Sequence, residues 1–222
     1  MALTISDTGG GSFEQAPQGN HNATCYRLVD VGTHNETFEG ETKKRHSIFI
    51  SWELNDAKME DGRPFTILKQ YTLSLNEKSA LYKDLCQWRK KPFTPEELKG
   101  GFDLTKILGL TCELAIGETK TGNSKVVNVF APDGGAKIQP TVNEVVAFDM
   151  DEYVKGNKDM IGVWVDLPSW LQTKIDDSIE VKSKDSKPSD KSDFESLDSM
   201  NQEKAFPSDE ELADDEDESL PF

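Results

Sequence analysis

Cysteine is scarce in this chain, and the three present, Cys25, Cys86 and Cys112, stand far apart with no Cys-x-x-Cys among them. An odd, dispersed set builds neither a disulfide framework nor a zinc ribbon, and it fits a reducing compartment. Histidine is as rare: His21, His34 and His46 lack the spacing of metal ligands, so neither a metal nor another cofactor is expected. Long apolar runs are missing too. No stretch approaches the roughly 18 residues of a membrane span, and the first residues carry no apolar signal-peptide core. The chain is therefore expected in the cytoplasm, where the sequons at Asn22 and Asn35 are chance matches. Catalytic signatures are absent as well, with no P-loop, no Gly-x-Ser-x-Gly and no nucleophile beside an evident base. Asp30, Asp103 and Glu113 could be imagined as a nuclease cluster, but isolated acids are usually surface groups, and a non-enzyme is expected.

What the chain has in excess is negative charge, unevenly placed. Its 222 residues hold 25 Lys/Arg and 41 Asp/Glu, a net of −16. Residues 1–175 carry 20 basic and 24 acidic side chains, whereas residues 176–222 carry 5 and 17. The pI of about 4.6 thus describes the C-terminal part more than the rest. On so nearly neutral a body, a nucleic-acid site must be a local positive stripe with aromatic stacking.

The pattern divides the chain into four parts. Residues 1–22, rich in Gly, Asn and Gln around Gly9-Gly10-Gly11, read as a flexible N-terminus. Residues 23–175 read as one mainly β domain with a helical insertion (α+β). Alternation marks strands at Thr24–Val31, Arg45–Leu54 and Phe65–Leu75, with Ile48, Ile50, Trp52 and Leu54 on one face of the second. The period then changes to 3.6. Ser74 to Glu77 reads as a capping box ahead of Leu81, Leu85 and Trp88. Thr94, Pro95 and Glu97 form a second box, Gly100-Gly101 stops that helix, and Asp103–Leu108 makes a short helical run. Two more strands, Leu110–Ile116 and Lys125–Phe130, flank the turn Thr121-Gly122-Asn123. Three strands, helices, then a hairpin is the element order of an OB-fold-like five-stranded barrel; an α+β sandwich of the same order is the alternative. Apolar stretches follow at Val142–Phe148 and Ile161–Val165, and Pro168–Ile175 reads as a last helix seating Trp170 on the body. Residues 140–170 are where two copies would meet if the body works as a dimer. Beyond Asp177 apolar residues are few, so residues 176–205 read as a disordered linker and 206–222 as an acidic tip.

OB barrels hold nucleic acid across strands two and three and the loops joining strands one-two and four-five. The first loop, Thr33–Lys44, ends in Lys43-Lys44-Arg45, and the second carries Lys120 and Lys125 around Gly122. Two basic loops at one mouth make a candidate groove. Phe49, between Ser47 and Ser51 on the face opposite Ile48, is a candidate base-stacking ring, with packing under the long loop as its duller explanation. Lys69 and Tyr71 share a side of the third strand and are assigned to the same groove, although Tyr71 sits in core-like company. Arg89-Lys90-Lys91 follows the first helix and reads as a complement to its C-terminal dipole.

The most informative segment is the last. Asp214, Asp215, Glu216, Asp217 and Glu218 lead through Ser219 into Leu220, Pro221 and Phe222. Acidic runs solvate a tail, but solvation alone has no use for an apolar tip with a ring. Such an end suits a small basic, apolar pocket on another protein. It resembles the C-terminus of the bacterial single-stranded DNA-binding protein family, from which it departs at Ser219. The resemblance implies recruitment of DNA-maintenance proteins.

The run from Trp52 to Gly109 contains Asp-Gly-Arg-Pro, Tyr-Thr-Leu-Ser-Leu, Gln-Trp-Arg and Gly-Phe-Asp-Leu. It resembles a bacteriophage-encoded family, OB-like and associated with replication. The N-terminal sequence of the bacterial family's core is not seen. Together these imply a phage-type protein that coats single-stranded DNA non-specifically in replication or recombination and recruits host or phage proteins through its tip. An acidic-tailed inhibitor that occupies a host protein's DNA-binding groove is the alternative.

Overall fold

The computed structural model describes residues 14–38 and 40–185. Its centre is a six-stranded sheet of β1 (Gly19–Phe38), β2 (Glu41–Lys58), β3 (Pro64–Thr72), β4 (Thr111–Glu118), β5 (Ser124–Phe130) and β6 (Val146–Phe148). The order is β3-β2-β1-β4-β5, antiparallel throughout, with β6 parallel to β1. Between β3 and β4 lie α1 (Ala80–Arg89), α2 (Pro95–Gly100) and a 3-10 turn at Leu104–Ile107. After β6 come α3 (Met150–Val154), α4 (Lys158–Asp166), α5 (Ser169–Asp176) and α6 (Ile179–Asp185). The mainly β character, the strand sequence and the helices between the third and fourth strands agree with the sequence pattern.

β1 organises the sheet. It pairs with β2 along most of its length, with β4 over Gly19–Thr24 and with β6 over Arg27–Val29. The change of neighbour coincides with a bulge between Cys25 and Arg27, the kind of irregularity that bends and twists a strand. The two outer strands approach each other without a backbone ladder. Lys69 Nζ of β3 donates to the Val127 carbonyl of β5 at 3.1 Å, and among the described residues the sheet stays open at this seam.

Two cores form on opposite faces. In the first, Cys25, Ile48, Ile50, Trp52 and Leu54 meet Cys112, Leu114 and Ile116 beneath Leu81, Leu85 and Trp88 of α1. In the second, Val29, Val31 and Phe49 meet Phe148, Met150, Leu167, Leu171 and Ile175 of the C-terminal layer. β2 serves both, so Ser47 to Leu54 is buried at eight consecutive positions. All three cysteines are free, and burial pushes the Cys25 and Cys112 thiols far up. No helix among the described residues is long and apolar enough to cross a membrane.

Several boundaries differ from those expected. Order begins before residue 23: Ala16 is buried, its carbonyl accepts from Ser124 Oγ, and β1 starts at Gly19. Order also extends past 175, because the stretch expected as linker opens with α6. Ser178 is fully buried, and Glu180 Oε2 accepts from the Thr33 amide at 2.8 Å. Gly32 makes room for this docking. Its φ is +75°, and a Cβ there would lie 2.7 Å from Glu180 Oε2 and 2.8 Å from Ser178 Cβ. The first helix starts at Ser79, whose hydroxyl accepts from the Tyr82 amide, and not at Ser74. The box at Thr94 and Glu97 forms as the sequence indicates, with Pro95 at the first turn.

Candidate nucleic-acid interface

Lys43, Lys44 and Arg45 do not lie in a loop. The segment read as one continues the β1–β2 ladder, with Asn35 opposite Lys44, Glu36 opposite Lys43 and Thr37 opposite Thr42. Lys43 and Lys44 are exposed, Lys43 lies 3.5 Å from Glu41, and Arg45 pairs with Glu36 at 3.2 Å. Lys120 and Lys125 are exposed at the β4–β5 turn.

These two basic tips do not share a mouth. Gly19 pairs with Ile116 beside the β4–β5 turn, whereas Phe38 pairs with Glu41 at the tip of the other hairpin. They stand at opposite ends of the 20-residue β1, separated by about 60 Å of strand contour.

Phe49 is not a stacking platform. It is 1% exposed, meets Trp170 of α5 edge-to-face at 5.3 Å, and lies under Lys174 Nζ at 5.6 Å. Burial lowers the Lys174 pKa. The C-terminal layer covers this part of β2, which also buries Ser47 and Ser51. The signal was present in the sequence: Phe148, Met150, Leu167, Leu171 and Ile175 needed a sheet face to cover, and the odd-numbered row of β2 was available.

Tyr71 is likewise inside, 3% exposed. Its hydroxyl donates to Asp84 Oδ2 at 2.7 Å, and Lys69 Nζ donates to the same oxygen at 2.8 Å. Burial, then the Asp84 charge, pushes the Tyr71 pKa well up. Lys69 and Tyr71 do converge as their spacing implies, but on α1 and the β3–β5 seam. Among the described side chains no aromatic ring is exposed. The tip residues Asp214 to Phe222 lie outside the described residues.

One basic surface was passed over in the sequence. The outward face of α1 carries Lys83 and Gln87 and continues into Lys90 and Lys91, all exposed. The helix has one acid, Asp84, and that carboxylate is buried and engaged by Lys69 and Tyr71. Lys83, Lys90 and Lys91 form no ion pair among the described residues, although Lys91 is close enough to help lower the Glu97 pKa behind the Thr94 amide and Arg89. Arg89 itself turns inward, pairing with Glu97 and lying over the Phe93 ring at 4.2 Å. Lys90 has φ +57°, the one positive value outside glycine among the described residues. This helix-ending position usually holds glycine, and a side chain there costs about 1–2 kcal/mol. The run Arg89-Lys90-Lys91 was legible; the burial of Asp84, the one acid of α1, against Lys69 and Tyr71 was not.

Among the described residues no three His, Cys, Asp or Glu side chains converge as a metal site. No protein-family model matches the chain, and no curated protein matches it.

Proposed function

We propose that this protein binds single-stranded DNA without sequence preference in DNA replication or recombination, and recruits partner proteins through residues 206–222. The observation that carries the reading is the run of five acids from Asp214 to Glu218 followed by Leu220-Pro221-Phe222. Its chemistry suits a basic, apolar pocket on a partner. The body is read as an OB-type barrel. What supports this is the order β3-β2-β1-β4-β5 with helices between β3 and β4, and edge strands drawn together at Lys69 and Val127. That fold is a partly open five-stranded barrel.

The covered face of β2 and the buried rings shift the expected chemistry from base stacking to phosphate contact. Counterion release then dominates, and affinity falls steeply with salt. Titrating the full-length protein with labelled oligothymidine at two salt concentrations tests this. The expected result is a complex at low salt that weakens as salt rises; its absence at low salt overturns the reading. The buried rings also favour a second reading, in which the acidic tail occupies a host protein's DNA-binding groove. Capture of a DNA-binding host protein by a chain without strand affinity is the result that selects it.

A further inference from the structure

We infer that the polynucleotide track lies on the outward face of α1, with Lys83, Lys90 and Lys91 holding the phosphodiester backbone. This rests on the proposed strand binding and gives it a location that the sequence did not.

Three observations carry it. First, Lys83, Lys90 and Lys91 are exposed together on and just after one helix and form no ion pair among the described residues, whereas Lys43, Arg45, Arg63, Lys155 and Lys182 each lie beside an acid. Residues 78–106 carry seven basic side chains against four acidic, a positive island on a body with an excess of acid. Second, the fold itself removes the acid. Asp84, the one acid of α1, points inward, where Lys69 and Tyr71 take up its charge. Third, Lys90 occupies a left-handed position that glycine fills without strain. The backbone gains nothing from a side chain there; the outward charge does.

The chemistry is that of a polyanion held without readout. Lysines are mobile point charges that accept any phosphate geometry. Lys83 and Lys90 lie on one side of the helix, separated by about 10 Å along its axis, and Gln87 between them offers a neutral donor. Among the described residues no fully exposed ring accompanies them, Tyr82 beside Lys83 being half-buried, so phosphate contact carries the binding and base identity would not matter.

The experiment compares full-length wild type with K83E/K90E/K91E, using labelled oligothymidine at several salt concentrations. All three side chains are exposed, so the variant should keep its melting temperature. We expect at least a tenfold loss of affinity at low salt and a slope of log affinity against log salt shallower by about two, from three lost phosphate contacts. A charge-matched variant, K58E/K155E/K158E, should lose far less. Lys90→Gly separates the two roles of that residue: its melting temperature should rise while binding weakens. Wild-type affinity unchanged in K83E/K90E/K91E, or equally lost in the charge-matched variant, overturns the track and leaves strand binding standing. Wild type that forms no complex overturns both. A synthetic peptide of residues 206–222 that binds wild type but not K83E/K90E/K91E, with oligothymidine affinity unchanged, makes this a protein-docking face and also overturns it.

Discussion

His46 joins the sheet to the last helix. Its Nε2 donates to Asp30 Oδ1 at 2.7 Å, and Nδ1 lies 3.4 Å from Thr33 Oγ1 and 4.0 Å from Glu180 Oε1. The Asp30 hydrogen bond raises its pKa; burial opposes this, and the charges of Asp30, Glu180 and Asp151 add to it. Burial disfavours the Glu180 carboxylate, yet the Thr33 hydrogen bonds and His46 lower its pKa on balance. A histidine pKa raised by folding gives stability that is fully present below about pH 6.5 and is lost as pH rises through the higher folded value. The melting-temperature advantage of wild type over His46→Gln should therefore grow from pH 8 to pH 6. An advantage independent of pH would show that His46 is held neutral. Single residues were the least legible part of the sequence. Phe49 and Tyr71 satisfied the alternation expected of a strand, but alternation names two faces without saying which one a later segment covers.

Elements were more legible, and the misreadings share a cause. Thr33–Lys44 looked like a loop because it offers little apolar alternation. It is strand because of cross-strand pairs: Glu36 with Arg45, and Thr37 with Thr42 at 3.0 Å between hydroxyls, interactions that stabilise a ladder without burial. α6 looked like linker because its apolar content is low. It docks through Glu180 on a β1 amide and through the buried Ser178, with Val181 against the second core. The period of two, the change to 3.6 and the box at Thr94 depend on local chemistry and were readable; docking through polar groups depends on a distant partner. Gly32→Ala tests that docking. The new Cβ would meet Glu180, Ser178 and Met150 Cε at under 3 Å, and its left-handed φ alone costs at least about 1 kcal/mol. Amides of residues 179–185 should exchange faster while those of β4 and β5 remain protected. Unchanged exchange in α6 would mean that Glu180 does not anchor it through this contact.

For the whole molecule, the main fact is the separation of charge. Residues 206–222 contain eight acidic side chains and no basic one, and they share a chain with the α1 lysines. If α1 holds phosphate as proposed, an acidic segment on the same chain competes with phosphate for it at a high effective concentration. Deleting residues 206–222 should tighten oligothymidine binding, most visibly at low salt, where electrostatic competition is least screened. Equal or weaker binding by the truncated chain would remove the internal competition from the account.

The double service of β2 sets how the molecule comes apart. Side chains from one eight-residue run enter both layers, so peeling away the C-terminal helices strands Phe49 in water, and loosening the other side takes the floor from beneath them. Heating should therefore give a single calorimetric peak whose measured enthalpy equals its van't Hoff value, with no half-melted species for a protease to trim.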